Sequence, residues 1–240
     1  MATFLVTHGA WSAGFVWKKM RPLMRAAGHE MFTPSHTGLG DRRHLAHKDV
    51  DLDTHVADIL AVLFQEDLTD VYLIGHSYGG IVARCVADRM AERLAHVIYL
   101  DSFVPQDGQS MLDMAIPAQR ERWLKGAAEE GGGWLVPPNP LPGDTPADDV
   151  AWIAPRRHPQ PLKTIVQPAR LGNHSLRVPQ SYIYCTRIGP GDMFGTFARA
   201  AKADPAWGYF ELDASHSPHV TAPDALMAAL SAIVAGGKGR

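Results

Sequence analysis

The segment Gly75-His76-Ser77-Tyr78-Gly79-Gly80 constrains this chain more than any other. It joins the apolar run Val71-Tyr72-Leu73-Ile74 to a helical pattern over residues 81–90, so the order is strand, tight turn, helix. A serine at the centre of Gly-x-Ser-x-Gly in that setting is expected to occupy strained backbone angles, with its hydroxyl standing clear of the sheet. A β-carbon at Gly75 or Gly79 would meet the crossing backbone. The helix that starts after Ser77 points N–H groups and a partial positive charge at that hydroxyl.

A turn of this kind needs a sheet around it. Strand-like runs are expected at 3–7, 30–33, 71–74, 97–100, 182–185 and 209–212. Helical patterns fall at 16–27, 54–64 (with Asp53 or Thr54 as cap), 81–91, 193–202 and 223–234, the last with proline at its first position. Strands alternating with helices predict an α/β chain with a mostly parallel sheet of about six strands, covered on both faces. The alternation fails between about Pro105 and Pro179, a stretch rich in proline, glycine and tryptophan, with helical patterns at 111–125 and at 146–153, the latter capped by Thr145. It reads as a helical lid, 105–179, inserted into a core made of 1–104 and 180–240. The glycine-rich tail 236–240 is expected to fray.

Length and composition narrow the function classes. At 240 residues the chain can bury a substantial core. A net charge of −2 gives no reason to expect nucleic acid or an anionic membrane as partner. Cys85 and Cys185 fall in a predicted helix and strand and are expected to be free thiols in a reducing compartment. The amino terminus lacks the basic and long apolar regions of a secretory signal, which points to the cytoplasm.

A serine so placed needs a base from elsewhere in the chain, and a strand-end loop before the last helix is the expected station. His216, in Asp213-Ala214-Ser215-His216-Ser217-Pro218, meets it; His219 is the fallback. A carboxylate must orient the imidazole. Two are available. Asp101 ends the strand 97–100 and is preferred because a strand end holds it rigidly. Asp192, in the loop after 182–185, is the alternative, and also fits as a helix cap. For the oxyanion the expected donors are the backbone N–H groups of Tyr78 and Ala10, with Gly9 allowing close approach. The Tyr78 phenol is a further group that could reach the pocket.

Together these residues resemble the α/β-hydrolase superfamily over nearly the whole chain. More narrowly the chain is similar to small bacterial esterases related to plant methyl-salicylate esterases and hydroxynitrile lyases. The matching pieces are Thr7-His8-Gly9-Ala10-Trp11, Thr37-Gly38-Leu39-Gly40-Asp41-Arg42, the Ser77 segment, Tyr99-Leu100-Asp101-Ser102-Phe103-Val104-Pro105 and Asp204-Pro205-Ala206-Trp207. The resemblance implies the α/β-hydrolase fold, and an aspartate at the Asp101 station in the bacterial branch. Two departures disfavour cyanide chemistry: Gly9 stands where those lyases carry threonine, and Ser217 where they carry a lysine after the histidine.

The expected activity is therefore hydrolysis of a small, mostly apolar carboxylic ester through Ser77, His216 and Asp101, without metal or organic cofactor. A carbamate or amide hydrolase of the benzimidazole-carbamate type, with the same three residues, is the alternative. A hydroxynitrile lyase or a non-catalytic ligand receptor on the same scaffold follows at a distance. Trp11, Phe103, Trp123, Trp134 and Trp152 are candidates for the substrate pocket, with Met111, Met114 and Ile153 beside them. Apart from Arg156 and Arg157, the lid offers little fixed positive charge expected to aim at the site, so a neutral substrate is expected. The histidines and aspartates of 44–55 match no metal-ligand spacing and read as a solvated loop entering a capped helix. A monomer or homodimer is expected.

Overall fold

The computed structural model describes all residues except 173–175, 189–190, 237–238 and 240. Most of the tail expected to fray, and Gly189 and Pro190 of the loop before Asp192, thus lie outside the described residues. Along the chain come β1 (Thr3–Thr7), α1 (Met20–Ala26), β2 (Glu30–Phe32), α2 (Leu52–Gln65), β3 (Val71–His76), α3 (Gly79–Arg89) and β4 (Leu94–Leu100). The insertion follows, with α4 (Met111–Met114), α5 (Pro117–Glu129), β5 (Leu135–Val136), α6 (Ala147–Ile153), β6 (Gln160–Pro161) and α7 (Lys163–Val166). The chain then re-enters the core with β7 (Gln180–Cys185), α8 (Gly195–Ala203), β8 (Gly208–Leu212), α9 (Pro218–Thr221) and α10 (Pro223–Val234).

Six strands form one sheet in the order β2-β1-β3-β4-β7-β8, every pairing parallel. The two insertion strands pair antiparallel as a separate ribbon. The period of two along each strand sends alternate side chains to opposite faces. Phe4, Val6, Ile74, Ile98 and Ile183 pack with Trp17, Met20, Met24, Leu226 and Leu230. Leu5, Leu73, Val97, Tyr99 and Tyr182 pack with Val56, Ile59, Val82 and Val86. The second of these clusters runs on into the insertion through Met111, Trp123, Val136 and Ile165, so the insertion shares the core rather than standing on its own. Cys85 and Cys185 are both free and buried.

Several elements depart from expectation for local reasons. Residues 16–27 split into a 3-10 turn, Gly14–Lys19, and α1. Pro22 has no N–H to offer the carbonyl four residues back, so α-helical bonding cannot extend upstream. α2 begins at Leu52, not 54, because Asp51 has extended backbone and caps it. Its carboxylate accepts from Thr54 N at 2.9 Å. Asp53 is engaged by Arg89 and Gln167 instead. The single helix expected over 111–125 breaks at the extended Ile116, since Pro117 disfavours helical angles in the residue before it. Pro146, not Thr145, stands at the cap of α6, and the Thr145 hydroxyl donates to the Pro142 carbonyl at 2.7 Å.

Candidate active site

Parallel pairing puts the carboxyl ends of five strands at one edge. Thr7 lies opposite Gly75, His76 opposite Leu100, Leu100 opposite Ile183, and Cys185 opposite Leu212. The residues that follow those ends are the loop 8–11, Ser77, Asp101 and the loop 213–216. Crevices at such edges are where open parallel sheets place ligands. Here the edge opens into a cavity of about 710 Å³, lined by Gly9, Ala10, Trp11, Ser77, Asp101 and His216 among others.

The backbone at this edge is strained. Trp11, Ser77 and Asp101 have φ of 58°, 56° and 41°, and only two other described non-glycine residues are positive, Asp67 and Asp70. Such angles cost of order 1–3 kcal/mol each and persist where the surroundings enforce them. At Ser77 the enforcement is visible. Its N–H donates to Leu100 O at 3.2 Å, and its carbonyl accepts from Gly80 N at 3.1 Å and Phe103 N at 3.3 Å. A β-carbon on Gly79 would lie 2.0 Å from the Thr7 carbonyl oxygen, so the helix could not approach β1 with any other residue there.

Asp101 turns out of β4 toward β7. Its N–H donates to Ile183 O at 2.8 Å, and one carboxylate oxygen accepts from Cys185 N at 3.2 Å. The other lies 2.7 Å from His216 Nδ1. The carboxylate is buried, so this bond is screened little by water. His216 is backed by Phe194, whose ring stacks on it at 4.8 Å between centroids and 6° between planes. Asp192 lines the same cavity but is engaged elsewhere. It accepts from Gly195 N at 2.7 Å and from the Tyr184 hydroxyl at 3.1 Å, the helix-entry role that its sequence position allowed.

His76 and His219 flank the base. His76 Nε2 donates to the His216 carbonyl at 2.7 Å. His219 stacks on Trp17 at 4.6 Å, and burial pushes its pKa down to about 3. His76 is likewise held well below the ordinary histidine range, first by burial and then by its histidine neighbours. His219, the fallback base, makes no contact with a carboxylate among the described residues.

The loop after β1 is held from both sides. His8 accepts from His36 N at 3.0 Å through Nε2 and donates through Nδ1 to Gly9 O at 2.9 Å. From the insertion, Gln160 accepts from Trp11 N at 3.1 Å and Val136 O accepts from Trp11 Nε1 at 2.9 Å. Trp11's N–H is thus spent, whereas the N–H groups of Ala10 and Tyr78 have no partner among the described residues. The Tyr78 phenol does not reach the pocket. It is fully buried and bonded to His55 Nδ1 at 2.9 Å. His55 in turn donates to Thr37 O at 2.9 Å, and burial lowers its pKa to about 4.

Of the expected pocket residues, Trp11 and Trp123 line the cavity, with Met111 and Ile153. Phe103, Trp134, Trp152 and Met114 are not among the lining residues. Phe103 is spent in an aromatic cluster with Phe194 and Phe197, and Trp152 packs edge-on against Phe15. Trp134 sits in the turn joining α5 to β5. Arg156 turns away and donates to Trp152 O at 2.6 Å, whereas Arg157 lines the cavity. Arg122 and Arg187 also line it and were missed, as were Phe194 and Gln160. Phe194 could have been suspected from its place just past the β7 loop; Gln160 carried no signal, because only folding brings it to residue 11.

Among the described residues no group of histidine, cysteine or carboxylate side chains is placed to hold a metal ion. Asp49, in the histidine- and aspartate-rich stretch, instead pairs with Lys163 at 2.7 Å. No helix of the described residues is long and apolar enough to cross a membrane.

Comparison with known proteins agrees with this fold. A model of the alpha/beta hydrolase family matches residues 4–229. The chain belongs to that family. This α/β-hydrolase is 36% identical over 245 residues to a carbendazim hydrolyzing esterase of Nocardioides sp. (strain SG-4G), covering 97% of this chain and all of that one. It is 25% identical over 247 residues to a pyrethroid hydrolase of Sphingobium wenxiniae, covering 95% and 85%. An extracellular α/β-hydrolase from a Paenibacillus species shares the fold at a TM-score of 0.82, with 24% identity over 97% of this chain and 98% of that one.

Proposed function

We propose that this α/β-hydrolase cleaves a small, mostly apolar carboxylic ester through an acyl-enzyme, with Ser77 as nucleophile, His216 as base and Asp101 as the orienting acid. The observation that carries the reading is the 2.7 Å bond between buried Asp101 and His216 Nδ1 in a cavity shared with Ser77. With Nδ1–H donated to the carboxylate, Nε2 is the free lone pair. It takes the Ser77 proton as Oγ attacks the carbonyl carbon. Ala10 and Tyr78 N–H groups, without partners among the described residues, receive the oxyanion. His216 then protonates the departing alkoxide, and water, activated by the same nitrogen, releases the acid and restores the serine. Asp101 favours the imidazolium that forms between these steps.

Carbamate cleavage with the same residues is the second reading, and the full-length similarity to a carbendazim hydrolyzing esterase favours it. Cyanide chemistry gains nothing at Gly9: a β-carbon there would lie 3.0 Å from His76 Nδ1 and 3.1 Å from Ser77 Cβ, leaving little room for a threonine. The deciding experiment is an assay of purified protein against aryl esters, carbamates, amides and cyanohydrins, beside Ser77→Ala. Ester turnover that the substitution abolishes is expected. Turnover that survives it would sink the mechanism, and saturable binding without turnover would favour a receptor.

A further inference from the structure

We propose that Arg157 is a specificity-determining residue, selecting substrates whose portion beneath the insertion carries a hydrogen-bond acceptor, a ring nitrogen or a carboxylate, in place of bare hydrocarbon. This rests on the hydrolase reading of the same cavity.

The charges around the cavity do not balance locally. Its three carboxylates are all engaged: Asp101 by His216, Asp192 by Gly195 N and the Tyr184 hydroxyl, and Asp144 by Arg187 at 3.8 Å. Arg187 is also held by Asp213 at 2.8 Å. Arg122 is exposed, so water satisfies it. Arg157 is different. It is half-buried, no described carboxylate lies within ion-pair distance, and the one described hydrogen bond of its guanidinium goes to the Asn139 carbonyl. Burial pushes its pKa down to about 10 with no compensating charge. A guanidinium offers five donors in a planar fork, and most of these remain for a ligand.

Its place is fixed. Asn139, whose backbone Arg157 holds, accepts from Trp123 Nε1 at 3.1 Å through its side chain. Arg157 therefore stands in the wall beside a buried tryptophan. In the same wall the Gln119 amide oxygen is covered and has no described partner. An apolar substrate closing against this wall removes water from Arg157 and returns nothing. A substrate with an acceptor there restores a charge-assisted bond, which corresponds to about 10- to 100-fold in specificity. Discrimination of this kind comes from the group left unpaired by the wrong substrate.

The test uses ester pairs differing by one atom: methyl nicotinate against methyl benzoate, and 3-acetoxypyridine against phenyl acetate, with 3-acetoxybenzoate as the anionic member. Wild-type enzyme is expected to favour an acceptor-bearing member about 10-fold or more in kcat/KM, mainly through KM. Preference for the pyridines identifies a neutral acceptor; preference for the benzoate alone identifies an anion. In Arg157→Met the ratio within the favoured pair should collapse to within about 3-fold of unity, while Arg157→Lys keeps part of it. If Arg157→Met does not fold, Arg157→Gln, which can still donate to the Asn139 carbonyl, carries the test. No preference in the wild type, or one that persists without Arg157, overturns the proposal. If no ester is turned over, the same pairs are compared by dissociation constant on Ser77→Ala. A preference there that needs Arg157 upholds the proposal while the hydrolase reading fails; its absence overturns the proposal.

Discussion

At the carboxyl ends of β1, β3 and β4 the backbone itself carries the geometry, whereas in the insertion above them side chains do. Ser77, Asp101 and Trp11 stand where they do because strained turns leave paired strands. Few alternatives exist for a chain so confined. The insertion has two short strands and four helices among its described residues, and is held by contacts such as Gln160 to Trp11, Arg157 to Asn139 and Asn139 to Trp123. Any one of these can change without breaking the sheet. Under the proposed function this contrast is a division of labour: the sheet edge would govern bond-breaking, and the insertion which molecule is presented to it.

The sharpest way to break that division is Ser77→Ala. Turnover should fall by about 10⁴-fold or more while thermal unfolding stays near wild type. If loss of activity came with loss of fold, the edge would be doing structural work instead. Next, Asp101→Asn should lower kcat by up to about 10⁴-fold, because the amide no longer fixes the His216 tautomer. Asp192→Asn should lower it less than about 10-fold, since its contacts are a helix entry and a tyrosine. The reverse order in steady-state kinetics would transfer the acid's role to Asp192. Within the insertion, Trp123→Ala removes a side chain that is 1% exposed and should cost about 3–5 kcal/mol in denaturant unfolding. A cost near zero would mean that the insertion does not share the core.

Buried histidines test the sheet edge by pH. His8, His55 and His219 have folded pKa values of about 4, 4 and 3, below the unfolded 6.5. Between those limits the unfolded chain binds more protons, so their neutral burial is fully tolerated above pH 6.5. Stability then falls on acidification toward pH 4, by on the order of 1.4 kcal/mol per pH unit per group. His55→Asn should flatten that slope in urea midpoints measured from pH 7 to 4.5; an unchanged slope would show that His55 is not buried neutral. The smallest effect is expected at Asp51→Ala, about 1 kcal/mol from loss of the α2 cap, with kinetics unaltered.

Legibility followed the same line. The six sheet strands were readable because short apolar runs are local, and Ser77 because strand, turn and helix are contiguous. His216 was readable from chain order. Asp101 and Asp192 could not be separated by spacing, since both follow strands that enter the same edge. Phe103, Trp134 and Trp152 were misplaced because an aromatic residue in a proline-rich stretch packs wherever folding leaves space. The α2 cap was missed by two residues because Asp51, Asp53 and Thr54 are all capping types, and only the extended backbone at Asp51 selects among them.

By itself the amino-acid sequence determined the parallel α/β sheet, the serine on its turn and the histidine that could serve it. These depend on short-range patterns and on glycines that leave no alternative. Tertiary structure alone decided that Asp101 meets His216, that the Tyr78 phenol is spent on His55, and that Arg157 faces the cavity with no acid paired to it among the described residues. Those outcomes depend on residues tens of positions apart arriving at contact distance, where burial and hydrogen-bond geometry, not residue type, choose the partner.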